Sequence, residues 1–508
     1  NNSGTRNSAF GYSSLWSNRS GVNNSAFGYK ALYSNTTKNN TAVGLSALQN
    51  NTTGANNSAF GHGSLINNTT GSNNVAIGYG ALTANTIGNN NVAVGLNSMY
   101  YNTTGTQNTA VGRSALQNNT IGVNNSAFGY QALYHNTTGS LNSAFGLYAL
   151  RLNTTGIRNH AFGFYSLLNN TTGDNNSAFG LESLKANTVG INNSAFGVYA
   201  LKTNTTGSYN TAVGYSSLYS NTTGIYNTSV GTQALTNNTI GSKNSAVGFG
   251  ALFANTTGKN NSAFGYNTLG GNTTGIQNTA MGGQALQNNT IGVNNSAFGS
   301  YALLNNTTGN QNVAVGYQSL KANTTGSCNV AVGKDASFAN TFGNYNSAFG
   351  YQSLYYNGSG NNNSAFGYRA LLNNATSNNS AFGFRSLFNN TIGTSNAAFG
   401  KDSLFSNTTG STNSAFGKDA LKYNTIGISN SWFGYRSLFT NTTGTYNTAV
   451  GTSALQSNTI GTSNSAFGSY ALYLNTTGVN NVAIGVQALL NNTSGARNNA
   501  LGVNALVN

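Results

Sequence analysis

The stretch NVAIGYGALTANTIG, from Asn74 to Gly88, is one copy of a unit that repeats along all 508 residues. A four-residue motif recurs as SAFG, TAVG or VAIG. It has two residues that are small or β-branched, then an apolar residue and a glycine. This glycine, called here the motif glycine, occurs 30 times between Gly11 and Gly502 at a spacing of 17, apart from two spacings of 16. A fixed short period is typical of a solenoid. We therefore expect one continuous array over 1–508, without distinct caps, forming a segment of a longer fibre.

The unit is too short and too rich in glycine and asparagine for a helix. We predict two extended segments, NSAFG and YxALx, closed by an NTTGxN turn whose glycine supplies a positive φ. Equivalent strands of successive coils then pair at about 4.8 Å. The predicted fold class is all-β, a parallel β-solenoid (β-roll or β-helix) of about 30 coils with 17 residues per coil. The two 16-residue coils lack the turn glycine and have Lys38 and Ser377 in its place.

Two asparagine columns are invariant within the chain, one four residues before the motif glycine and one seven residues after it. A side-chain amide can accept from one neighbouring coil and donate to the other, so both columns predict hydrogen-bonded ladders. The predicted ladder residues include Asn24, Asn40 and Asn57 of the first column, Asn35, Asn51 and Asn136 of the second, and the motif glycines Gly28, Gly44 and Gly61.

Two further columns are apolar. The residue before the motif glycine is most often Phe, and the fourth residue after it is Leu except at Met99 and Ser337, where Phe338 is expected to fill the gap. We predict a core containing Phe27, Leu32, Phe60, Leu65, Phe128 and Leu133. The pattern leaves open whether the Phe column or the neighbouring Ala column points into the coil. Burying the apolar side chains of one coil gives less free energy than ordering its residues costs. Further burial against another chain is therefore expected, as a homo-oligomer, a bundle or an end-to-end filament.

Composition argues against catalysis. The chain has 5 acidic residues, 3 histidines and 1 cysteine, and His62, His135 and His160 fall in three different columns. We predict no enzyme activity, no metal site and no cofactor. No run approaches the ~18 apolar residues of a membrane helix, so we predict no membrane insertion.

Surface columns provide the other candidates. Five cations in consecutive coils form a possible anion-contact stripe for polysaccharide, with no specific nucleic acid expected: Arg369, Arg385, Lys401, Lys418 and Arg436. Asp402 and Asp419 are interleaved with them, which favours a solvated face instead. Possible glycosylation sites are Asn35, Asn51, Asn102 and Asn136 in N-x-[ST] sequons, and Thr36 and Thr52 for O-linked sugars.

The SAFG, TAVG and VAIG units resemble the head repeats of YadA-like trimeric autotransporter adhesins, and Asn74–Gly88 resembles the NTTG-type arrays of bacterial and phage surface fibres. The resemblance implies a left-handed, trimeric β-roll at the cell surface. We expect an extracellular structural filament or adhesin shaft that contacts itself and surface polysaccharide. The alternative is a carbohydrate- or ice-binding β-solenoid module that uses one flat exposed face.

Overall fold

The computed structural model describes residues 3–507, and these residues form strands and turns with no helix. Contacts divide the chain into two units, Asn1–Thr257 and Gly258–Asn508. Each unit is a β-solenoid of three-residue strands, and consecutive strands within a unit pair in parallel and in register, as Ala127 does with Ala144. The predicted all-β parallel solenoid is confirmed.

The strands of the first unit, β1 to β15, are Ser8–Phe10, Ser25–Phe27, Thr41–Val43, Ser58–Phe60, Val75–Ile77, Val92–Val94, Thr109–Val111, Ser126–Phe128, Ser143–Phe145, His160–Phe162, Ser177–Phe179, Ser194–Phe196, Thr211–Val213, Thr228–Val230 and Ser245–Val247. Those of the second unit, β16 to β30, are Ser262–Phe264, Thr279–Met281, Ser296–Phe298, Val313–Val315, Val330–Val332, Ser347–Phe349, Ser364–Phe366, Ser380–Phe382, Ala397–Phe399, Ser414–Phe416, Ser431–Phe433, Thr448–Val450, Ser465–Phe467, Val482–Ile484 and Asn499–Leu501.

The second predicted strand, YxALx, is not extended. In the coil of β8, Gln131 and Leu133 both have φ of 52°, in the left-handed region. The segment is therefore a series of turns, with the amide of Asn136 donating to the carbonyl of Leu133 at 3.1 Å. Its amides still join coils: that of Gln131 donates backward to Arg113 O, and that of Leu133 donates forward to Ala149 O, each at 3.0 Å. Burial of the leucine offsets the left-handed backbone, which costs about 1–2 kcal/mol.

The first asparagine column joins each coil to both neighbours. The backbone amide of Asn125 donates to Asn108 Oδ1 at 2.9 Å, and Asn125 Oδ1 accepts from the backbone amide of Asn142 at 3.0 Å. Asn125 Nδ2 donates to the carbonyl of the turn glycine Gly139 at 2.8 Å. The predicted residues Asn24, Asn40 and Asn57 make equivalent bonds and are buried.

The second asparagine column is a side-chain ladder. Asn136 Nδ2 donates to Asn119 Oδ1 at 2.8 Å and to the carbonyl of Gly139 at 2.9 Å, while Asn136 Oδ1 accepts from Asn153 Nδ2 at 2.8 Å. Asn35 and Asn51 are linked in the same way, at 2.8 Å. Both predicted ladders are confirmed, and both columns are fully buried at these positions. The side-chain nitrogen and oxygen of Asn125 and Asn136 each have at least one hydrogen-bond partner, as buried polar groups require.

The turn glycine differs from its prediction because Gly139 does not have a positive φ. A Cβ atom there would lie 2.5 Å from Gly156 O and 2.9 Å from Asn153 Nδ2, so the ladders leave no room for a side chain. In the shorter coil after Gly28, Thr37 O accepts from both Asn24 Nδ2 and Asn35 Nδ2. The shorter coil therefore keeps a backbone carbonyl between the two ladders, although it lacks the turn glycine. The Lys38 side chain is exposed.

Ser337 interrupts the leucine column. It is buried, and its hydroxyl has no hydrogen-bond partner. Phe338 does not fill the gap as predicted, since it is half-buried and stacks on Tyr355 at a centroid distance of 5.0 Å. Ser229 shows the contrast: it replaces an inward alanine, and its hydroxyl bonds Ser217 Oγ at 2.7 Å and Ala234 O at 2.8 Å. Ser337 is thus a weak point without local compensation.

Replacing Ser337 with leucine is expected to stabilise its coil by about 2 kcal/mol, because it buries an isobutyl group and removes an unpaired hydroxyl. Hydrogen exchange of the amides in 320–354 should slow by more than tenfold. Met99→Leu is the matched control, since methionine already fills the same column and the exchange should stay unchanged. Faster exchange in Ser337→Leu would show that the coil has no space for the leucine side chain.

Candidate functional site: an exposed aromatic face

Alternation along each strand decides which side chains face out. The middle residue, such as Ala127, is fully buried, whereas the first and third residues, Ser126 and Phe128, are half-buried. We call these first and third strand positions the outer face. Because neighbouring residues of a strand point to opposite sides, an inward alanine forces the phenylalanine outward.

The predicted placement of the phenylalanines in the core is therefore wrong. Phe27 is 43% exposed and Phe60 is 40% exposed, and Phe128 is half-buried on the same outer face. The leucines Leu32, Leu65 and Leu133 are fully buried, which confirms that part of the prediction. In most coils the interior holds one leucine, two asparagines and two small residues. Trp432, at the inward position of β26, is the aromatic exception: it is fully buried, and its Nε1 has no hydrogen-bond partner.

The phenylalanines of the outer face stack on each other. In the first unit, rings from Phe128 to Phe196 have centroid distances of 4.6–4.9 Å and interplanar angles of 5–9°. In the second unit, an equivalent stack from Phe349 to Phe433 has distances of 4.5–4.7 Å. Stacking covers the ring faces and leaves the ring edges exposed. Outside these two stacks the same column contains valine, isoleucine, methionine, leucine and further phenylalanines such as Phe60.

No lysine, arginine, aspartate or glutamate occupies the outer face in the described strands. Its first positions are serine, threonine, valine, alanine and asparagine, with His160 as the exception. The column one residue after the motif glycine borders it and adds exposed rings, such as Tyr12 and Tyr29, which stack at 5.4 Å. A long strip of exposed aromatic and aliphatic side chains without lysine, arginine, aspartate or glutamate is typical of an interaction surface.

The cations of the predicted stripe are paired within the protein. Arg385 Nε lies 2.9 Å from Asp402 Oδ1, and Arg369 Nε donates to Gln352 Oε1 at 2.9 Å. Lys401, Lys418 and Arg436 each lie over an aromatic ring, at 5.7, 5.7 and 5.1 Å from its centroid. These contacts favour the solvated-face interpretation over an anion site, because each cation has a polar or aromatic neighbour within the protein, although Arg436 Nε is buried without a hydrogen-bond partner.

The predicted N-linked positions are inaccessible in the folded coil. Asn35, Asn51, Asn102 and Asn136 are fully buried, and the Nδ2 atom that would bond the sugar donates within the ladder. Their assignment as glycosylation sites is therefore contradicted for the folded protein. Thr36 and Thr52 are exposed. Their hydroxyls donate to backbone carbonyls of the next coil, Thr36 Oγ1 to Thr52 O at 2.9 Å and Thr52 Oγ1 to Thr69 O at 3.0 Å.

The threonines of the NTTG turns do not form a two-column face. The first donates its hydroxyl to the next coil, as Thr137 Oγ1 does to Thr154 O at 3.1 Å. The second is exposed, but isoleucine or valine replaces it in several coils, including Ile87, which is 50% exposed. The second threonine of the turn, such as Thr138, is therefore the one whose column faces solvent most openly.

The residues 3–507 contain no group of three or more metal-ligating side chains, and no helix of membrane-spanning length and hydropathy. The fold and this surface define a β-solenoid with a stack of exposed aromatic edges in each unit. A scan against protein-family models found no match, and a search of curated proteins found no similar sequence.

Proposed function

We propose that this protein is a non-enzymatic, extracellular structural element, the shaft of a filament or adhesin at the cell surface. The observation that supports the proposal is the repetition of one set of coil-to-coil bonds along each unit. Between the coils of β8 and β9 these include Asn153 Nδ2 to Asn136 Oδ1 at 2.8 Å, Thr137 Oγ1 to Thr154 O at 3.1 Å and Leu133 N to Ala149 O at 3.0 Å.

Such bonding suits a mechanical role. Separating two coils breaks strand, turn, asparagine and threonine bonds on all sides of the coil together, and each contributes about 0.5–1.5 kcal/mol. Bending therefore loads many weak bonds in parallel. The inward columns vary little apart from exceptions such as Ser337, so most coils have the same bonds to their neighbours, while the variable outward columns are free to adapt to partners. Self-association is part of this proposal, as is contact with surface polysaccharide.

The alternative function is a carbohydrate- or ice-binding module. Exposed tyrosines that are not stacked face to face, such as Tyr215, which is 51% exposed, favour it, since aromatic faces pack against sugar rings. The two functions respond to different substitutions. A binding module loses ligand when one outward column is changed, whereas a shaft loses stiffness when an inward column is changed.

Cryo-electron microscopy of the purified chain tests the shaft. We expect stiff rods with a layer spacing of about 4.8 Å, and antibodies against the array should label intact cells of the source organism. Flexible or compact particles would contradict the shaft, and labelling only after cell lysis would contradict the extracellular location. Asn136→Ala should soften the rods near the substitution, whereas Tyr12→Ala should leave their stiffness unchanged.

A further inference from the structure

We propose that the outer face packs against the outer face of a second copy, with the two chains parallel and related by a two-fold axis along the solenoid. This inference rests on the proposed shaft function and names its partner and geometry. Three properties of the outer face support it: its area, its period and its shape.

The exposed area is large enough for a stable pair. A phenylalanine ring that is about 40% exposed presents on the order of 80 Å² of apolar surface. Over the strands of one unit, the third-position column alone then presents on the order of 1,000 Å², whereas a stable dimer buries about 800 Å² per partner. No lysine, arginine, aspartate or glutamate occupies an outer-face position, so no charge must be desolvated.

The period of the face selects the partner. The ridge of the third strand positions rises once per coil, at about 4.8 Å, as the stacked centroids of Phe145 and Phe162 at 4.7 Å show. A partner must present features at the same spacing to match the ridge along a whole unit. A second copy of this chain does so at every coil.

The shape of the face decides the direction. Serine and phenylalanine, such as Ser143 and Phe145, form a shallow groove and a ridge about 6.6 Å apart, two residues along the strand. A two-fold axis along the solenoid places the ridge of each copy over the groove of the other. An axis across the solenoid, which makes the chains antiparallel, places ridge on ridge instead. Ridge in groove buries more surface, so we expect the parallel pair.

The mass of the purified chain and its variants tests the interface. Analytical ultracentrifugation should find a dimer at micromolar concentration, and the triple variant Phe145→Ser, Phe162→Ser, Phe179→Ser should dimerise at least 100-fold more weakly. The matched control is Ile87→Ser, Ile121→Ser, Val189→Ser, which removes three apolar side chains that lie outside the outer face and are 50%, 54% and 48% exposed. This control should stay dimeric although its side chains are more exposed than the three phenylalanines, which are half-buried. Circular dichroism checks that both variants keep the fold.

A second variant does not depend on losing ring stacking. The change Ser126→Phe, Ser143→Phe, Ser177→Phe fills the groove and adds apolar surface at outward positions. The parallel ridge-in-groove pair should dissociate at least 100-fold more readily, although the surface becomes more hydrophobic. Unchanged or tighter dimerisation would overturn the ridge-in-groove packing.

Spin labels measure the direction. In a Cys328→Ser background, single cysteines replace the exposed Thr70 or Thr172, which lie six coils apart in the same column. A parallel pair gives the same distance between labels on the two chains at both positions. An antiparallel pair gives distances that change by about 10 Å per coil. Unequal distances, a monomer or a trimer would overturn the proposal. Monomeric stiff rods would overturn the pairing alone and leave the shaft function standing.

Discussion

Replacing Gly61 with alanine is expected to disrupt the stacking of its coil, at a cost of about 4 kcal/mol or more. Two causes act together. The φ of Gly61 is 130°, a conformation nearly restricted to glycine. A Cβ atom would also lie 2.5 Å from Gly78 O in the next coil, and backbone atoms cannot move aside without separating the coils. Hydrogen exchange of the amides in 44–95 should accelerate by about 1,000-fold.

Gly63 provides the control within the same coil. Its φ is 66°, which other residues adopt at this position, and a Cβ atom there would meet nothing within 4 Å. Gly63→Ala should cost only about 1 kcal/mol. Equal effects of the two substitutions would show that coil spacing does not depend on the close approach of the motif glycines.

Replacing Asn136 with alanine is expected to cost about 3 kcal/mol locally. The substitution leaves Asn119 Oδ1 and Gly139 O each without one donor, and Asn153 Nδ2 without one acceptor, inside a buried ladder. Each buried unpaired group costs about 1–3 kcal/mol. Hydrogen exchange in 119–153 should accelerate by about 100-fold, and proteases should cut there first.

Asn118→Ala is the matched control for Asn136→Ala. Asn118 lies one residue before the same ladder column in the preceding coil and is only half-buried. Asn118→Ala should change hydrogen exchange less than threefold, because water can bond to any group that the Asn118 side chain contacts. Asn136→Ala with unchanged exchange and protease resistance would contradict a stabilising role for the ladder.

The corrections to the sequence predictions have two physical origins. Phe27 and Ala26 are adjacent and both apolar, so periodicity alone cannot say which of them faces the interior. Asn35 is both a predicted ladder residue and a possible glycosylation site, and the structure favours the ladder, since Asn35 is buried and its Nδ2 donates to Thr37 O. The sequence showed the row of cations from Arg369 to Arg436. The ion pair between Arg385 and Asp402 joins residues 17 positions apart and is given by the stacking of the coils.

The sequence by itself determined the class of this protein. A period of 17 residues, two invariant asparagine columns and an invariant glycine predict stacked parallel coils and buried amide ladders, because identical residues at a fixed period must meet their equivalents. Only the tertiary structure decided the positive φ of Leu133, the outward direction of the Phe128 side chain and the lack of space for a side chain at Gly139. These depend on how tightly each coil closes and on the distance to the next coil, quantities that no single repeat contains.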